Sequence, residues 1–197
     1  MNAHLEHRFR QSLVDHRDAV AQVEALVPEI TAAAAALWQV LAGGGRILLC
    51  GNGGSAADAQ HFAAELTGRF VAERQPLAAI ALTTDTSALT AIGNDYGFEW
   101  VFARQVAALG RSGDALVAIS TSGHSPNVLN AVERANALEM TTVGLLGRDG
   151  GALATRVARP LIVGVKATAR IQEAHELIFH LWCEAFDTYA ESSISAK

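Results

Sequence analysis

Cysteine and basic residues are scarce in this 197-residue sequence, and each shortage excludes a class of protein. The two cysteines, Cys50 and Cys183, lie in apolar runs without metal-ligand spacing, so we expect reduced thiols in a cytosolic protein. The 15 Lys and Arg residues are outnumbered by 20 Asp and Glu residues. The resulting net charge of −5 argues against a dedicated nucleic-acid binder, which needs a basic face for phosphates.

Long hydrophobic runs are also missing. The longest weakly polar stretch, residues 30–42, includes Gln39 and falls short of the roughly 20 residues that a membrane-spanning helix needs. The first 16 residues lack the apolar core of a signal peptide. Because 50% of the residues are apolar and 18% are charged, we expect one globular domain without a membrane segment, located in the cytoplasm.

The first 44 residues have a helical pattern. Pro28 is expected to break the helix, and residues 30–41 form a second one that ends at three glycines. We predict an N-terminal helical hairpin over residues 1–44, packed on its own domain or on another subunit. The first helix carries an apolar stripe with steps of three, four or seven, formed by Leu5, Phe9, Leu13, Val20, Val23 and Leu26.

After residue 45, short apolar runs alternate with helical segments. Strands that are apolar on both faces belong to a parallel sheet covered by helices, so the sequence predicts an α/β fold with a three-layer αβα sandwich. Ligands of such sheets bind beyond the carboxyl ends of the strands. The five predicted strands are residues 46–50, 78–82, 115–119, 141–146 and 160–163, and the predicted crossover helices lie within 56–67, 98–109, 127–138 and 169–189.

The first candidate loop is GNGGS, residues 51–55, between a strand and a helix. Its glycines allow backbone N–H groups to approach an anion at the helix N-terminus. The loop also matches the loose dinucleotide pattern G-x-G-x-x-G/A, but Asp85 lies too far along the chain to be the ribose-binding acid. A tight strand-to-helix turn without a ligand is the alternative interpretation.

The second candidate loop is STSGHS, residues 120–125, followed by Pro126 and a helix. Hydroxyl and backbone N–H groups at one helix N-terminus form a neutral cradle suited to a phosphate monoester. The alternative is a capping run, but a helix cap needs one hydroxyl and this loop offers four. The sequence therefore favours a phosphate site here.

These two loops resemble the sugar isomerase (SIS) domain, and longer stretches resemble its phosphoheptose isomerase branch. The stretches are GNGGSAADAQHFAAELTGRF, LTAIGNDYGFE, ISTSGHSPN and RIQEAHELIFH. The resemblance covers nearly the whole chain and implies one flavodoxin-like SIS domain over residues 1–197. It also implies an aldose-ketose isomerase that converts sedoheptulose 7-phosphate to D-glycero-D-manno-heptose 7-phosphate through an enediolate. That reaction is the first step of ADP-heptose biosynthesis, which feeds the lipopolysaccharide core.

The resemblance also implies which residues form the site. The Asn94–Asp95 pair is expected in a loop before a helix, and the family is a homotetramer with sites at subunit interfaces. Ala169 stands where some relatives carry an acid, so any substrate contact from that position is lost. The substrate-binding residues implied are Asn52, Gly53, Gly54, Ser55, Glu65, Asn94, Asp95, Ser120, Thr121, Ser122, Ser125 and Gln172.

The acid, base and metal candidates lie on two helices. The four-residue spacing of His61 and Glu65 puts both on one helix face, where they form a site or an ordinary ion pair. His180 has apolar neighbours, so it is either a buried core residue or functional. The resemblance implies that Glu65 is the base, that His180 is the acid and that one Zn²⁺ per subunit binds. Its implied ligands are His61, Glu65, Gln172 and His180, whereas His175 is structural or peripheral.

A non-enzymatic SIS branch, which binds the replication initiator DnaA as a tetramer, is the alternative function. That branch lacks the acid that matches Glu65 and the histidine that matches His180. This sequence has both residues, which favours the isomerase.

Overall fold

A parallel β-sheet forms the centre of the computed structural model, which describes residues 2–195. The strand order is β2-β1-β3-β4-β5, and every neighbouring pair is parallel. The predicted α/β sheet is confirmed, and the strand ends differ from the predicted ones by one residue at most. The strands are β1 (Ile47–Gly51), β2 (Ala79–Ala81), β3 (Ala115–Ser120), β4 (Thr141–Gly147) and β5 (Arg159–Val163).

Helices cover both faces of the sheet, because alternate strand residues point to opposite sides. In β1, Ile47 and Leu49 join one core, and Leu48 and Cys50 join the other. The helices are α1 (Asn2–Ala25), α2 (Val27–Ala42), α3 (Gly54–Thr67), α4 (Thr86–Tyr96), α5 (Val101–Leu109), α6 (Pro126–Ala137) and α7 (Thr168–Ser195). Residues of α1, α2, α3 and α7 build the first core, and residues of α4, α5 and α6 build the second.

Helix α4 differs from the sequence prediction, which left residues 86–96 outside the helices. Its N-cap is Asp85, whose Oδ1 accepts a hydrogen bond from the Ala88 N–H at 2.9 Å. This cap satisfies one of the free N–H groups at the helix start, so Asp85 is the residue that indicates where the helix begins. The predicted crossover from residue 98 begins instead with a 3-10 turn, Phe98–Trp100, before α5.

The predicted N-terminal hairpin is wrong in its geometry. Helices α1 and α2 are both present and meet near Pro28 as predicted, but their axes bend by only 63°. The Leu26 N–H donates to the Gln22 carbonyl and the Ile30 N–H to the Leu26 carbonyl, so helical hydrogen bonds flank the junction. Pro28 fits because the first turn of a helix needs no N–H donor there. No reversing loop exists between the two helices, so they form an elbow.

Among residues 2–195, no single helix is long and apolar enough to cross a membrane. The bent pair of α1 and α2 reaches the necessary length and hydropathy only when both helices are taken together.

Candidate active site between two loops and two helices

The two candidate loops lie side by side at the carboxyl edge of the sheet. Strands β1 and β3 are neighbours, with Gly51 opposite Ile119. The chain leaves β1 into α3 on one face of the sheet and leaves β3 into α6 on the other. This is the topological switch point, where doubly wound sheets bind their ligands.

The GNGGS loop is shaped by its glycines. Gly53 has a φ of 56°, a conformation that L side chains rarely adopt. A Cβ on Gly51 would lie 2.7 Å from the Ser55 carbonyl oxygen, so only glycine allows this close turn. Ser55 is buried at the first turn of α3. The loop therefore brings backbone N–H groups to the helix start, as an anion site requires.

The STSGHS loop is organised by its own hydroxyl groups. Ser120 is buried, its Oγ lies 3.2 Å from the Ser125 Oγ, and it accepts a hydrogen bond from the Gly123 N–H at 3.1 Å. The Ser122 Oγ accepts from the His124 N–H at 3.2 Å. Ser125 is the N-cap of α6, but its hydroxyl makes no capping hydrogen bond. The Ser125 hydroxyl group therefore faces Ser120 and does not cap the helix, which weakens the capping-run interpretation.

A pair of amides joins the two loops. The Asn52 Nδ2 donates to the Asn127 Oδ1 at 2.9 Å, and the Asn127 Nδ2 donates to the Asn52 Oδ1 at 2.8 Å. Asn127 is buried in the first turn of α6. The reciprocal pair fixes the start of α6 against the GNGGS loop.

Gln172 closes the GNGGS loop from the side of α7. A Cβ on Gly54 would overlap the side-chain amide of Gln172, so the two residues touch only because position 54 is glycine. A Cβ on Gly147 would lie 2.5 Å from the Thr121 carbonyl oxygen and 2.6 Å from the Ile171 Cδ1. The start of α7 therefore contacts the GNGGS loop through Gln172, and Ile171 and the Thr121 carbonyl group both lie close to Gly147 at the end of β4.

Below the loops, α3 and α7 share a group of ionisable side chains that we call the α3–α7 cluster: Asp58, His61, Glu65, Glu176 and His180. The His61 Nε2 lies 3.2 Å from the Glu65 Oε1, and its Nδ1 lies 3.3 Å from the Glu176 Oε1. The rings of His61 and His180 are edge to face, with centroids 5.1 Å apart. One ligand atom each from His61, Glu176 and His180 lies within 4.8 Å of the others.

Asp58 adds a partly buried carboxyl group to the cluster. Its Oδ2 is buried and has no hydrogen-bond partner among residues 2–195. Burial, with a smaller contribution from the negative charge of Glu176, raises the pKa of Asp58 to about 6, and His61 opposes the shift. A buried carboxylate oxygen without a partner, near the charges of Glu176 and His61, makes this cluster a candidate functional site.

A family model described as the SIS domain matches residues 12–147. The chain belongs to the SIS domain family. Its curated relatives include a phosphoheptose isomerase of Campylobacter jejuni, 56% identical over 88% of this chain and 93% of the relative. A phosphoheptose isomerase of Neisseria gonorrhoeae is 54% identical over 93% of this chain and 95% of the relative.

Solved structures of this SIS branch have the same fold. A phosphoheptose isomerase from Neisseria gonorrhoeae superposes with a TM-score of 0.88 at 51% identity, over 93% of this chain and 99% of the other. One from Francisella tularensis gives a TM-score of 0.89 at 43% identity, over 95% and 99% of the two chains. The resemblance described above is therefore confirmed.

Asn94 and Asp95 do not lie where they were expected. They occupy the last turn of α4 and not a loop before a helix, and both side chains are exposed. The Asn94 Nδ2 donates to the Asp95 Oδ1 at 2.8 Å. Helix α4 packs mainly against α5 and the 3-10 turn Phe98–Trp100, and substrate binding by Asn94 and Asp95 stays a prediction.

Three residues of the site escaped the sequence analysis: Asp58, Asn127 and Glu176. Glu176 had a signal, because Gln172, Glu176 and His180 follow one another at steps of four along one face of α7. Asp58 precedes His61 by one turn of α3, which is a weaker signal. Asn127 had none, because its partner is 75 residues away in sequence.

Proposed function

We propose that this SIS domain protein is a phosphoheptose isomerase that converts sedoheptulose 7-phosphate to D-glycero-D-manno-heptose 7-phosphate. The hydroxyl-lined loop beside the GNGGS loop carries the proposal, because it offers a phosphate cradle at the switch point of the sheet. The phosphoheptose isomerases of Campylobacter and Neisseria, which are more than 50% identical to this chain over most of its length, support the same substrate.

The substrate phosphate is assigned to the STSGHS loop. Ser120, Ser122 and Ser125 present hydroxyl groups at the start of α6, where the helix dipole favours a dianion. Thr121 belongs to the same predicted cradle. The sugar chain then extends past Asn52, Gly53, Gly54 and Ser55, with Gln172 at its side.

Proton transfer is assigned to the α3–α7 cluster. Glu65 removes the proton from C1 of the ketose, and His180 donates a proton to the developing oxygen anion of the enediolate. Both side chains adjoin His61: Glu65 through the 3.2 Å contact and His180 through the edge-to-face rings. Phe70 and Phe179 pack against the His180 ring and limit its motion. The new aldehyde forms at C1 when Glu65 returns its proton to C2 and the C1 hydroxyl group gives its proton to His180.

The α3–α7 cluster also fits Zn²⁺. Two imidazoles and a carboxylate match the ligand preferences of zinc. His61 and His180 would hold the ion, and the sequence-based set adds Glu65 and Gln172. When bound, the ion would stabilise negative charge on the reacting oxygens. Gln172 is the weakest ligand by type and already contacts the GNGGS loop.

The active site is proposed to form between subunits of a cytoplasmic homotetramer. Glu65 lies eleven residues beyond Gly54 on α3, or about 16 Å along the helix axis, so the two need not serve the same site. The apolar stripe of α1 is 42% exposed at Leu5, 65% at Phe9 and 60% at Leu13. A second subunit would cover this stripe.

Turnover of sedoheptulose 7-phosphate by the purified protein tests the proposal. We expect an aldoheptose 7-phosphate as product, measured as prepared, after chelation and after Zn²⁺ is added back. A loss of turnover on chelation that zinc restores supports the metal assignment. A folded tetramer without turnover under any metal condition would contradict the proposed reaction and favour the DnaA-binding alternative.

A further inference from the structure

A buried arginine holds the end of α3, and the proposed chemistry does not use it. The Arg74 side chain is 2% exposed and lies on the segment that follows the helix. Its Nη2 donates to the Glu65 carbonyl oxygen at 2.8 Å, and its Nη1 donates to the Leu66 carbonyl oxygen at 3.0 Å. Carbonyl groups in the final turn of a helix need partners from outside it. Arg74 therefore caps α3, and its positive charge suits the negative end of the helix dipole.

The same guanidinium group ties α3 to α7. Its Nε donates to the Asp187 Oδ1 at 2.9 Å. The Asp187 Oδ2 accepts from the Val71 and Ala72 N–H groups at 3.1 and 2.8 Å. Burial alone would raise the pKa of Asp187, but these hydrogen bonds and the positive charge of Arg74 lower it below its ordinary value. The carboxylate is therefore charged, and Arg74 bonds the last turn of α3 and the second half of α7 at once.

The proposed base and acid lie on the two helices that this ion pair joins. Glu65 is two residues from the end of α3, and Arg74 bonds its carbonyl group directly. His180 lies seven residues before Asp187, which is about two turns of α7 or about 10 Å along the axis. The ion pair thus holds the backbone of the base against the helix that carries the acid.

The last turn of α3 is the part of the helix where Glu65 needs support. Helix ends fray when their carbonyl groups lack partners. Fraying would redirect the Glu65 side chain, whose Oε1 lies 3.2 Å from the His61 Nε2. A displacement of about 1 Å in a reacting group can cost about a hundredfold in rate. Because Arg74 is buried, it would act on the reaction through the backbone at Glu65 and not by touching the substrate.

We propose that Arg74, through its ion pair with Asp187, is a positioning residue that holds the Glu65 base in register with His180. This inference rests on the proposed function for the reaction that it serves. A buried ion pair is often no more stabilising than apolar side chains of the same volume. A planar guanidinium group, however, can bond a carboxylate and two helix carbonyls at once, which gives this pair a positional role.

Asp114 provides a matched control for Asp187. Its Oδ1 accepts from the Arg46 N–H at 2.9 Å, its Oδ2 accepts from the Arg111 N–H at 3.0 Å, and the Arg46 Nε lies 3.6 Å from Oδ2. Like Asp187, it is a buried carboxylate with two backbone donors and an arginine partner. It lies at the amino ends of β1 and β3, on the opposite edge of the sheet from the two loops.

Hydrogen exchange, followed by mass spectrometry of overlapping peptides, tests whether Arg74 holds the helix end. We expect Asp187→Asn and Arg74→Lys to speed exchange of the amides at residues 65–68 about tenfold or more, because the last turn of α3 frays. Lysine keeps the positive charge but cannot bond the carboxylate and both carbonyls together. Residues 57–60, near the start of the helix, should change less than about threefold. Asp114→Asn should leave both segments unchanged.

Steady-state turnover of sedoheptulose 7-phosphate separates positioning from stability. We expect Asp187→Asn and Arg74→Lys to lower kcat about 10- to 100-fold while KM changes less than about threefold, because the phosphate is assigned to the STSGHS loop. Asp114→Asn should lower the urea midpoint as much as Asp187→Asn does but keep kcat within about twofold. In a Glu65→Gln background, Arg74→Lys should have no further effect on kcat.

Unchanged exchange at residues 65–68 in both variants would overturn the inference, as would an unchanged kcat or an equal loss of kcat in Asp114→Asn. Circular dichroism checks the fold of each variant, and Arg74→Lys, the milder change, carries the test if Asp187→Asn does not fold. Wild-type protein without turnover would contradict the proposed function instead. The exchange comparison would then still decide whether Arg74 holds the backbone at Glu65.

Discussion

At the scale of single residues, the contact between Gly54 and Gln172 depends on one missing methyl group. A Cβ at position 54 would overlap the Gln172 amide, which is the flexible end of its side chain. The amide can therefore move away at little cost to the fold, but it would then leave the GNGGS loop. We therefore expect the contact to position the Gln172 amide beside the GNGGS loop and to contribute little to the free energy of unfolding.

We expect Gly54→Ala to lower kcat/KM about tenfold or more while changing the free energy of unfolding by less than about 1 kcal/mol. A double-mutant cycle with Gln172→Ala checks the cause. In the Gln172→Ala background, Gly54→Ala should have little further effect on kcat/KM. Independent, additive losses would show that the alanine acts through another contact.

Glu65 is the residue on which the proposed chemistry depends most. We expect Glu65→Gln to lower kcat by about 10²- to 10⁴-fold, because a neutral amide cannot accept the proton from C1. Sugar-phosphate binding should persist, since the phosphate is held by the STSGHS loop. Steady-state kinetics and a direct binding measurement check both parts, and a variant with near wild-type kcat would refute the base assignment.

At the scale of elements, the two loops act together because the Asn52–Asn127 pair joins α6 to the end of β1. We expect Asn127→Ala to destabilise the protein by about 1–3 kcal/mol, because a buried hydrogen-bonded pair is lost, and to raise KM. Urea unfolding and kinetics measure the two effects.

Asn130→Ala is the matched control for the Asn127 prediction. Asn130 also lies on α6, but its Nδ2 donates to the Glu99 carbonyl at 2.9 Å, away from the GNGGS loop. It should affect stability without changing KM. Equal KM changes in both variants would mean that the amide pair does not position the loops.

The strands could be predicted from the sequence, whereas one of the helices could not. The five strands were predicted because a strand buried on both faces needs an unbroken apolar run. Helix α4 was not predicted, because only its cap, Asp85, distinguishes it clearly from a loop. The loop position expected for Asn94 and Asp95 was wrong for the same reason, because both residues lie on α4.

At the scale of the whole molecule, the first half of α1 exposes the apolar residues of its stripe. Ala19 and Val23, in the second half of the helix, are buried in the chain's own core, whereas Phe9 and Leu13 are exposed. The predicted stripe therefore divides into an inner part and an outer part. The outer part is the candidate subunit contact.

We expect the double substitution Phe9→Glu and Leu13→Glu to dissociate the proposed tetramer, because two charges would have to be buried in the contact. Light scattering after gel filtration measures the mass of the assembly. If the active sites are shared between subunits, turnover should fall when the assembly dissociates. Arg8→Glu, an exposed polar position of the same helix, should leave the mass unchanged. An unchanged mass in the double variant would exclude α1 from the contact.

His175 makes the stability of the whole molecule sensitive to acid. The ring is fully buried, and burial lowers its pKa to about 4, partly opposed by the backbone of Leu146. Because the unfolded histidine titrates near 6.5, the unfolded state binds more protons between pH 6.5 and 4, and stability falls as the pH falls through this window. Asp58, with its pKa raised to about 6, has the opposite effect there.

We expect His175→Leu to remove about 2 kcal/mol of the acid destabilisation between pH 7.5 and 5.0. Urea unfolding with a chelator present, at one protein concentration, measures the difference between wild type and variant at each pH. Parallel pH dependence of the two proteins would mean that His175 is not the group responsible.

The sequence by itself determined the α/β class, the strands and the two loops. Strands that are buried on both faces need unbroken apolar runs, and the two turns are rich in glycine or in hydroxyl groups, so local composition is enough to predict them. It also determined that His61 and Glu65 share a helix face. Only the tertiary structure decided that Glu176 joins His61 and His180, that Asn127 pairs with Asn52, and that α1 and α2 form an elbow. These features depend on the relative placement of elements far apart in the chain, which local patterns do not specify.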